Sequence, residues 1–198
     1  MKIYLIRHGE TTGDIEDRYG GDYEDHLSKK GIEESKELSQ KLKNKHIEVI
    51  YHSPRIRAKE TAKIVNQIIK CELKEINALR ERNAYGILTG MIKSEAKEKY
   101  PKEVEKLQKD KLNHNVKNSE DYLSFKNRII KTFNELINSN YENIVIISHG
   151  GPISCFIREV LKLGEFKKLG NCAILEFEKD NSKLKLINLD GAILENEN

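Results

Sequence analysis

Two apolar segments, far apart in the chain, each end in a histidine followed by a glycine. The first reads Ile-Tyr-Leu-Ile-Arg-His-Gly-Glu over residues 3–10, and the second reads Ile-Val-Ile-Ile-Ser-His-Gly-Gly over residues 144–151. Short apolar runs bounded by polar residues and glycine are typical of buried strands. A histidine at the rim of a sheet, beside an arginine, can attack a phosphoryl group. The two strand ends therefore predict one active site built from both His8 and His149.

The composition restricts the classes of partner. With 35 basic and 32 acidic residues, the net charge is only +3 and the two signs are interspersed, so neither nucleic acid nor an anionic membrane is indicated as a partner. No apolar segment is long enough to cross a bilayer, and Met1-Lys2 leads directly into a strand, so no secretory signal is expected. The three cysteines are far apart and lack metal-ligand spacing, which favours free thiols and a cytoplasmic location.

Apolar runs alternate with amphipathic stretches, a pattern that predicts an α/β fold, and 198 residues suit a single domain spanning 1–198. The stretch at about 80–122 is rich in lysine and glutamate and predicts surface helices on either side of Pro101, as a helical insertion over the site. A closing hairpin is expected from Ala173–Phe177 and Lys183–Asn188, with Asp180-Asn181 at its turn and a frayed tail after Ala192.

Phosphoryl transfer through histidine requires a neutral imidazole nitrogen aimed at phosphorus, cationic groups around the oxygens and an acid for the leaving group. His8 is the candidate nucleophile, with Arg7 beside it and with Gly9 allowing the backbone to pass close to a phosphate. Arg57, one turn into a helix that Pro54 is expected to open, is the candidate clamp for two phosphate oxygens.

His149 and Glu81 complete the candidate set. A cationic His149 would donate a hydrogen bond to the transferred group, and the helix opening after Gly150-Gly151 would direct its amide end at the same anion. Glu81 lies between two arginines, and it can act as an acid only if burial and an anionic substrate raise its pKa. Each residue taken alone is equally compatible with a structural or surface role, so the prediction depends on the combination.

The ordered set of motifs resembles the histidine phosphatase superfamily, also called the phosphoglycerate mutase-like proteins, from Lys2 to about Phe177. The resemblance implies a three-layer α/β/α sandwich with a mostly parallel central sheet, a phosphohistidine at His8, a pocket of Arg7, Arg57 and His149, Glu81 as proton donor, and no metal or cofactor. The matching segments are Arg7-His8-Gly9-Glu10-Thr11, Leu27-Ser28-Lys29-Lys30-Gly31, Ser53-Pro54-x-x-Arg57-Ala58-x-x-Thr61-Ala62, Leu79-Arg80-Glu81, Ser148-His149-Gly150-Gly151 and Asn171-Cys172-Ala173.

The branch of the superfamily is a separate question. The segment from Glu81 to Lys93 looks like the part of the phosphoglycerate mutases that touches substrate, yet it carries one extra residue before Tyr85. Asp14 and Gly151 stand where the mutases place asparagine, and 107–118 contains no arginine pair. The candidate substrate-binding residues are Gly9, Thr11, Asp14, Arg82, Tyr85, Lys93 and Gly150.

These departures favour a phosphatase that hydrolyses a small phosphorylated metabolite. The first alternative is a phosphoglycerate mutase, which transfers the phosphoryl group without net hydrolysis. The second is a non-catalytic phosphate-binding module, which could tolerate loss of the nucleophile or of the acid, whereas this chain keeps both His8 and Glu81. A homodimer is open as an alternative to a monomer.

Overall fold

The computed structural model describes residues 1–180 and 183–195, and a six-stranded sheet lies at its centre. The spatial order of the strands is β3-β2-β4-β1-β5-β6. The strands are β1 Lys2–Arg7, β2 Val49–His52, β3 Glu72–Glu75, β4 Asn143–Ser148, β5 Phe166–Asp180 and β6 Lys183–Leu194. Strands β1 to β4 pair parallel with one another, and β5 pairs antiparallel with both β1 and β6. The predicted mostly parallel sheet is confirmed.

Helices cover both faces of the sheet, which confirms the three-layer sandwich. Because successive side chains of a strand point to opposite faces, β1 contributes Ile3 and Leu5 to one core and Tyr4 and Ile6 to the other. The principal helices are α1 Thr12–Ile15, α2 Lys29–Leu42, α3 Ile56–Ile69, α4 Lys93–Lys99, α5 Pro101–Lys109, α6 Tyr122–Leu136 and α7 Gly150–Cys155. Helices α2 and α3 cover one core, and α6 and α7 cover the other.

The expected insertion is helical and has a small core of its own. Helix α4 ends just before Pro101, and α5 begins at it, where the missing amide of proline costs no hydrogen bond. Apolar residues of both helices pack with Tyr19 and Leu88, and the insertion thereby closes over the loop that follows β1.

Several boundaries differ from the sequence-based prediction. Pro54 precedes α3 by two residues instead of opening it, because the backbone stays extended through Arg55. Helix α7 begins at Gly150 and continues with wider, π-type turns over Phe156–Val160. The closing hairpin is longer than expected, and β6 runs through Leu194, so the chain just after Ala192 is paired and not frayed. Asn181 of the expected turn and residues 196–198 of the expected tail lie outside the described residues.

All three cysteines are free; Cys155 is buried, and Cys71 and Cys172 are half-buried. Over residues 1–180 and 183–195, no helix combines the length and the apolar character that crossing a bilayer requires.

Candidate active site

The parallel pairing of β1 with β4 brings the two histidines together. Arg7, the last residue of β1, is in register with Ser148, the last residue of β4, so the next residue of each strand emerges at the same edge of the sheet. The rings of His8 and His149 meet edge to face with their centroids 5.0 Å apart. Both side chains are buried, at 5% and 0% exposure. Two residues separated by most of the chain therefore share one site.

A backbone contact fixes the tautomer of His8. Its Nδ1 lies 2.8 Å from the carbonyl oxygen of Gly9. A carbonyl can only accept a hydrogen bond, so Nδ1 carries the proton and the neutral ring presents the lone pair of Nε2. That lone pair accepts a hydrogen bond from Nε of Arg57 at 3.2 Å. His8 thus has the protonation pattern that a nucleophilic imidazole requires.

Arg57 lies at the centre of the site and is held rigidly. Its Nε also donates to Nδ1 of His149 at 3.2 Å. Its terminal nitrogens donate to the carbonyl oxygen of Gly21 at 2.8 Å and to the carboxylate of Asp25 at 2.8 Å. At 4% exposure, this guanidinium is a buried positive charge whose only close anionic side chain among the described residues is Asp25.

His149 is oriented from both sides. Because Nδ1 accepts from Arg57, the ring proton lies on Nε2, which donates to Oγ of Ser53 at 2.7 Å. Ser53 Oγ in turn accepts from the amide of Arg55 at 3.2 Å. The carboxyl end of β2 therefore supplies the group that sets the tautomer of His149.

Burial and positive charge both keep the two imidazoles neutral. Burial, followed by the charges of Arg57 and Arg7, holds the pKa of His8 well below its ordinary value. Burial, Arg57 and His8 have the same effect on the pKa of His149. A dianionic phosphoryl group between the rings would act in the opposite direction and favour a cationic His149.

Glu81 faces the histidines from the start of the insertion. Its carboxylate accepts the amides of Gly151 at 3.0 Å and Arg82 at 2.7 Å. Burial in the cavity wall raises the pKa of Glu81, although these two amides favour the ionised form. A Cβ atom at Gly151 would overlap Oε1 of Glu81, so glycine at this position lets the carboxylate rest on the first turn of α7.

Apart from His149, whose side chain is fully buried behind the wall, these groups border one cavity of about 660 Å³, large enough for a phosphate and an attached organic group. Arg7, His8, Arg57, Glu81, Gly150 and Gly151 form part of its lining. Arg7 reaches the cavity from the end of β1, and its Nη1 donates to the carbonyl oxygen of Leu169 at 2.7 Å, whereas its Nε has no protein partner among the described residues.

Six of the seven candidate substrate-binding residues line this cavity, namely Thr11, Asp14, Arg82, Tyr85, Lys93 and Gly150. Two of them are already engaged with each other: Thr11 Oγ1 accepts the amide of Asp14, and the Asp14 carboxylate accepts the amide of Thr11. The amine of Lys93 forms an ion pair with Asp17. Arg82 donates to the carbonyl oxygens of Glu120 and Leu112.

Gly9, the seventh residue, has a different position from the one expected. Its amide donates to Thr61 Oγ1 at 3.2 Å, and it is absent from the cavity wall. A Cβ atom here would lie 2.7 Å from the carbonyl oxygen of Gly31. The small size of Gly9 therefore serves the close approach of α2 to the loop after β1.

Sequence reasoning gave no role to Ser53 and did not identify Asp25. Ser53 stands in one of the recognised motifs, but its contact with His149 requires that β2 and β4 be neighbours. Asp25 lies in a polar loop, and nothing in its sequence surroundings separates it from Asp22 or Glu24. The pairing of β2 with β4 and the path of the loop were the missing information.

Comparison with known proteins agrees with this geometry. The model of the histidine phosphatase superfamily (branch 1) matches residues 3–190. Phosphoserine phosphatase 1 of Hydrogenobacter thermophilus is 30% identical over 155 residues, which cover 77% of this chain and 72% of that protein. The 2,3-bisphosphoglycerate-dependent phosphoglycerate mutase of Parvibaculum lavamentivorans is 28% identical over 171 residues, covering 82% of this chain and 81% of the mutase.

The fold is shared with solved structures at lower identity. The α-ribazole phosphatase from Shigella flexneri superposes with a TM-score of 0.85 at 23% identity, over 100% of both chains. The family match extends over nearly the whole chain, in agreement with the sheet and with the paired histidines described above. The chain belongs to the histidine phosphatase superfamily.

Proposed function

We propose that the protein hydrolyses a small phosphomonoester through a phosphohistidine formed on His8. The observation that carries this proposal is the fixed neutral tautomer of His8, which lines the cavity, directs its Nε2 lone pair at Arg57 and packs against the ring of His149. A neutral imidazole with one nitrogen held by a carbonyl is the form in which histidine acts as a nucleophile.

In the first step, Nε2 of His8 attacks phosphorus and the bond from phosphorus to the ester oxygen breaks. The phosphoryl oxygens take over the hydrogen bond that Nε of Arg57 donates to the two imidazoles. Arg7, Arg57 and His149 surround these oxygens, and the leaving oxygen takes the proton of Glu81. The raised pKa of Glu81 supports its role as the acid.

In the second step, water attacks the phosphohistidine, and the carboxylate of Glu81 accepts the proton of that water. The bond from phosphorus to Nε2 breaks, inorganic phosphate leaves and His8 returns to its neutral form. A single carboxyl thus serves first as acid and then as base. An acid needs a pKa high enough to hold its proton and a base needs one low enough to be ionised, so the pKa of Glu81 must be intermediate. The two amides that bind the carboxylate favour the ionised form needed in this step.

The nucleophile is tested by His8→Ala. Wild-type protein mixed with ³²P-labelled substrate and quenched in alkali should retain label, because phosphohistidine is stable to base, and the variant should retain none. Turnover of an aryl phosphate should fall at least a thousandfold, a loss of about 4 kcal/mol in transition-state stabilisation. Near-normal turnover by the variant would refute the assignment. Absence of turnover by the wild type would favour the non-catalytic module.

The acid is tested by Glu81→Gln, which keeps the size and removes the proton. Phosphorylation of His8 should slow most with poor leaving groups such as alkyl phosphates and least with nitrophenyl phosphate, whose oxygen leaves without protonation. Single-turnover rates across a leaving-group series give the dependence. Equal slowing for every leaving group would argue against proton donation by Glu81.

A mutase is the second candidate, favoured by the similarity to the Parvibaculum enzyme and by Arg82, Tyr85 and Lys93 in the cavity wall. A mutase must shield its phosphohistidine from water. Incubation with 3-phosphoglycerate and a bisphosphate primer separates the two activities. Formation of 2-phosphoglycerate without phosphate release would establish the mutase, and phosphate release without 2-phosphoglycerate would establish the phosphatase.

The cytoplasmic location stays a prediction from composition. The oligomeric state is equally a prediction, and sedimentation equilibrium distinguishes a homodimer of twice 22.9 kDa from a monomer.

A further inference from the structure

One wall of the cavity is not used by the proposed reaction. This wall, which we call the hairpin wall, consists of Arg158 and residues 165–169, where the chain enters β5. None of its residues belongs to the motifs on which the family resemblance rests. Lys167 and Lys168 give the wall two adjacent positive charges.

A bulge interrupts β5 at the two lysines. Phe166 pairs with Leu194 and Lys168 pairs with Ile193, so two residues of β5 face one residue of β6. In a regular strand, neighbouring side chains point to opposite faces, and a bulge disrupts this alternation locally. Lys167 and Lys168 both belong to the cavity wall, and both are exposed to solvent.

The charges of the hairpin wall are unbalanced in favour of the lysines. Glu165, the one acidic residue of the wall, is bound by Nη1 of Arg158 at 2.6 Å. Arg158 also donates to the hydroxyl of Tyr122, which fixes it against α6. No acidic side chain within the described part of the chain lies at ion-pairing distance from Lys167 or Lys168, in contrast to Lys93 across the cavity.

The wall is tied closely to the nucleophile. Leu169, the residue after Lys168, accepts a hydrogen bond from Arg7 at 2.7 Å, and the amide of Cys172 donates to the carbonyl oxygen of His8 at 3.2 Å. The segment that carries the lysines therefore also binds Arg7 and the backbone of His8. A small molecule whose phosphate lies at His8 can present a second anionic group to this wall of the same cavity.

We propose that Lys167 and Lys168 form a second anion subsite that selects compact phosphomonoesters carrying another anionic group near the phosphate. The proposal rests on the proposed hydrolytic function, because it names the substrate class of that same cavity. Both a carboxylate and a second phosphate have the required chemistry.

Matched substrate pairs test the subsite. Phosphoserine and phosphoethanolamine differ by one carboxylate, and propane-1,3-diol bisphosphate and 3-hydroxypropyl phosphate differ by one phosphate. The double variant Lys167→Met, Lys168→Met should lower the ratio of kcat/KM within at least one pair about tenfold. The pair that responds identifies the second group. In the wild type the ratio should also fall with added salt, since exposed charges are screened over about 8 Å at physiological ionic strength.

The control is the double variant Lys102→Met, Lys106→Met, which removes the same charge from the exposed side of α5, away from the cavity. The proposal is overturned if the wild type shows no preference within either pair, or if both double variants change the ratios equally. Calorimetric binding of the same pairs to His8→Ala measures the preference without turnover. A failure of hydrolysis and a failure of the subsite are therefore distinguishable.

Discussion

At the scale of single residues, the site depends on where hydrogen atoms are held. The carbonyl oxygen of Gly9 places a proton on Nδ1 of His8, and Ser53 places one on Nε2 of His149. Nε of Arg57 donates to the remaining nitrogen of each ring. Each histidine acquires a defined tautomer because one of its ring nitrogens accepts from Arg57 and the other has a neighbouring oxygen to which it donates.

Gly151→Ala tests the contact between α7 and the acid. The new methyl would overlap Oε1 of Glu81 and push the carboxylate off the amide of Gly151. We expect turnover of alkyl phosphates to fall about tenfold or more, with aryl phosphates less affected, measured as kcat across leaving groups. The neighbouring Gly150→Ala is the matched comparison, since a Cβ atom there has no neighbour within 4 Å. A similar leaving-group dependence in both variants would contradict this account.

At the scale of elements, the amino-terminal end of α2 supports the loop that carries the nucleophile. Ser28 caps the helix by accepting the amide of Gly31 at 3.0 Å, and its hydroxyl donates to Glu10 at 2.8 Å. Gly31 faces the backbone of Glu10 so closely that a Cβ atom would overlap its carbonyl oxygen. Gly9 and Gly31 together allow helix and loop to touch through their main chains.

Gly31→Ala should therefore destabilise the protein, although alanine is the better helix former by about 1 kcal/mol. Separating α2 from the loop disturbs buried packing and the hydrogen bonds that Ser28 makes with Gly31 and Glu10. We therefore expect the free energy of unfolding to fall by about 2 kcal/mol or more. Urea unfolding measures it. Glu37→Ala, on the exposed face of the same helix, should change stability by no more than about 0.5 kcal/mol. A Gly31→Ala protein as stable as the wild type would disprove the packing argument.

At the scale of the whole molecule, the active site is formed around two arginines whose positive charge disfavours ionisation of the two buried histidines. Arg57 lowers the pKa of both rings in addition to burial, and Arg7 contributes to each. Such a cluster is unfavourable without an anion, and it is the feature that makes phosphate a stabilising ligand.

The stability of the fold should fall as the pH falls below about 6.5, the ordinary histidine value. Above that value both histidines are neutral whether the chain is folded or unfolded. Below it only the unfolded chain takes up the protons, at a cost of up to about 1.4 kcal/mol per pH unit and histidine, until the lowered folded pKa is reached. The pKa of Glu81 is raised in the folded protein, so Glu81 takes up its proton in the folded state first as the pH falls. This uptake stabilises the fold and reduces the net loss of stability.

Urea unfolding at pH 7.5 and pH 5.5 measures this loss, and the double variant His8→Gln, His149→Gln should lose less between the two pH values. Identical pH dependence in both proteins would show that the buried rings do not control it. Saturating phosphate should raise the stability of the wild type at pH 5.5.

The rate should depend on pH through both His8 and Glu81. His8 is a nucleophile only above its lowered pKa, and Glu81 is an acid only below its raised pKa, so kcat/KM should be bell-shaped between them. Glu81→Gln should remove the basic limb and leave the acidic limb in place. A basic limb that persists in this variant would assign that ionisation to another group.

The sequence by itself determined the α/β class, the order of the main elements and the identity of the paired histidines, because strand ends, helix caps and apolar periods are local properties of the chain. The three-layer arrangement was an implication of the family resemblance. Ser28 as a cap and α5 beginning at Pro101 are of this kind. Only the tertiary structure decided which residues contact the site residues. The contacts of Asp25 with Arg57, of Ser53 with His149 and of Gly9 with Gly31 join residues from different elements, and each depends on strand order and loop path that no local pattern encodes.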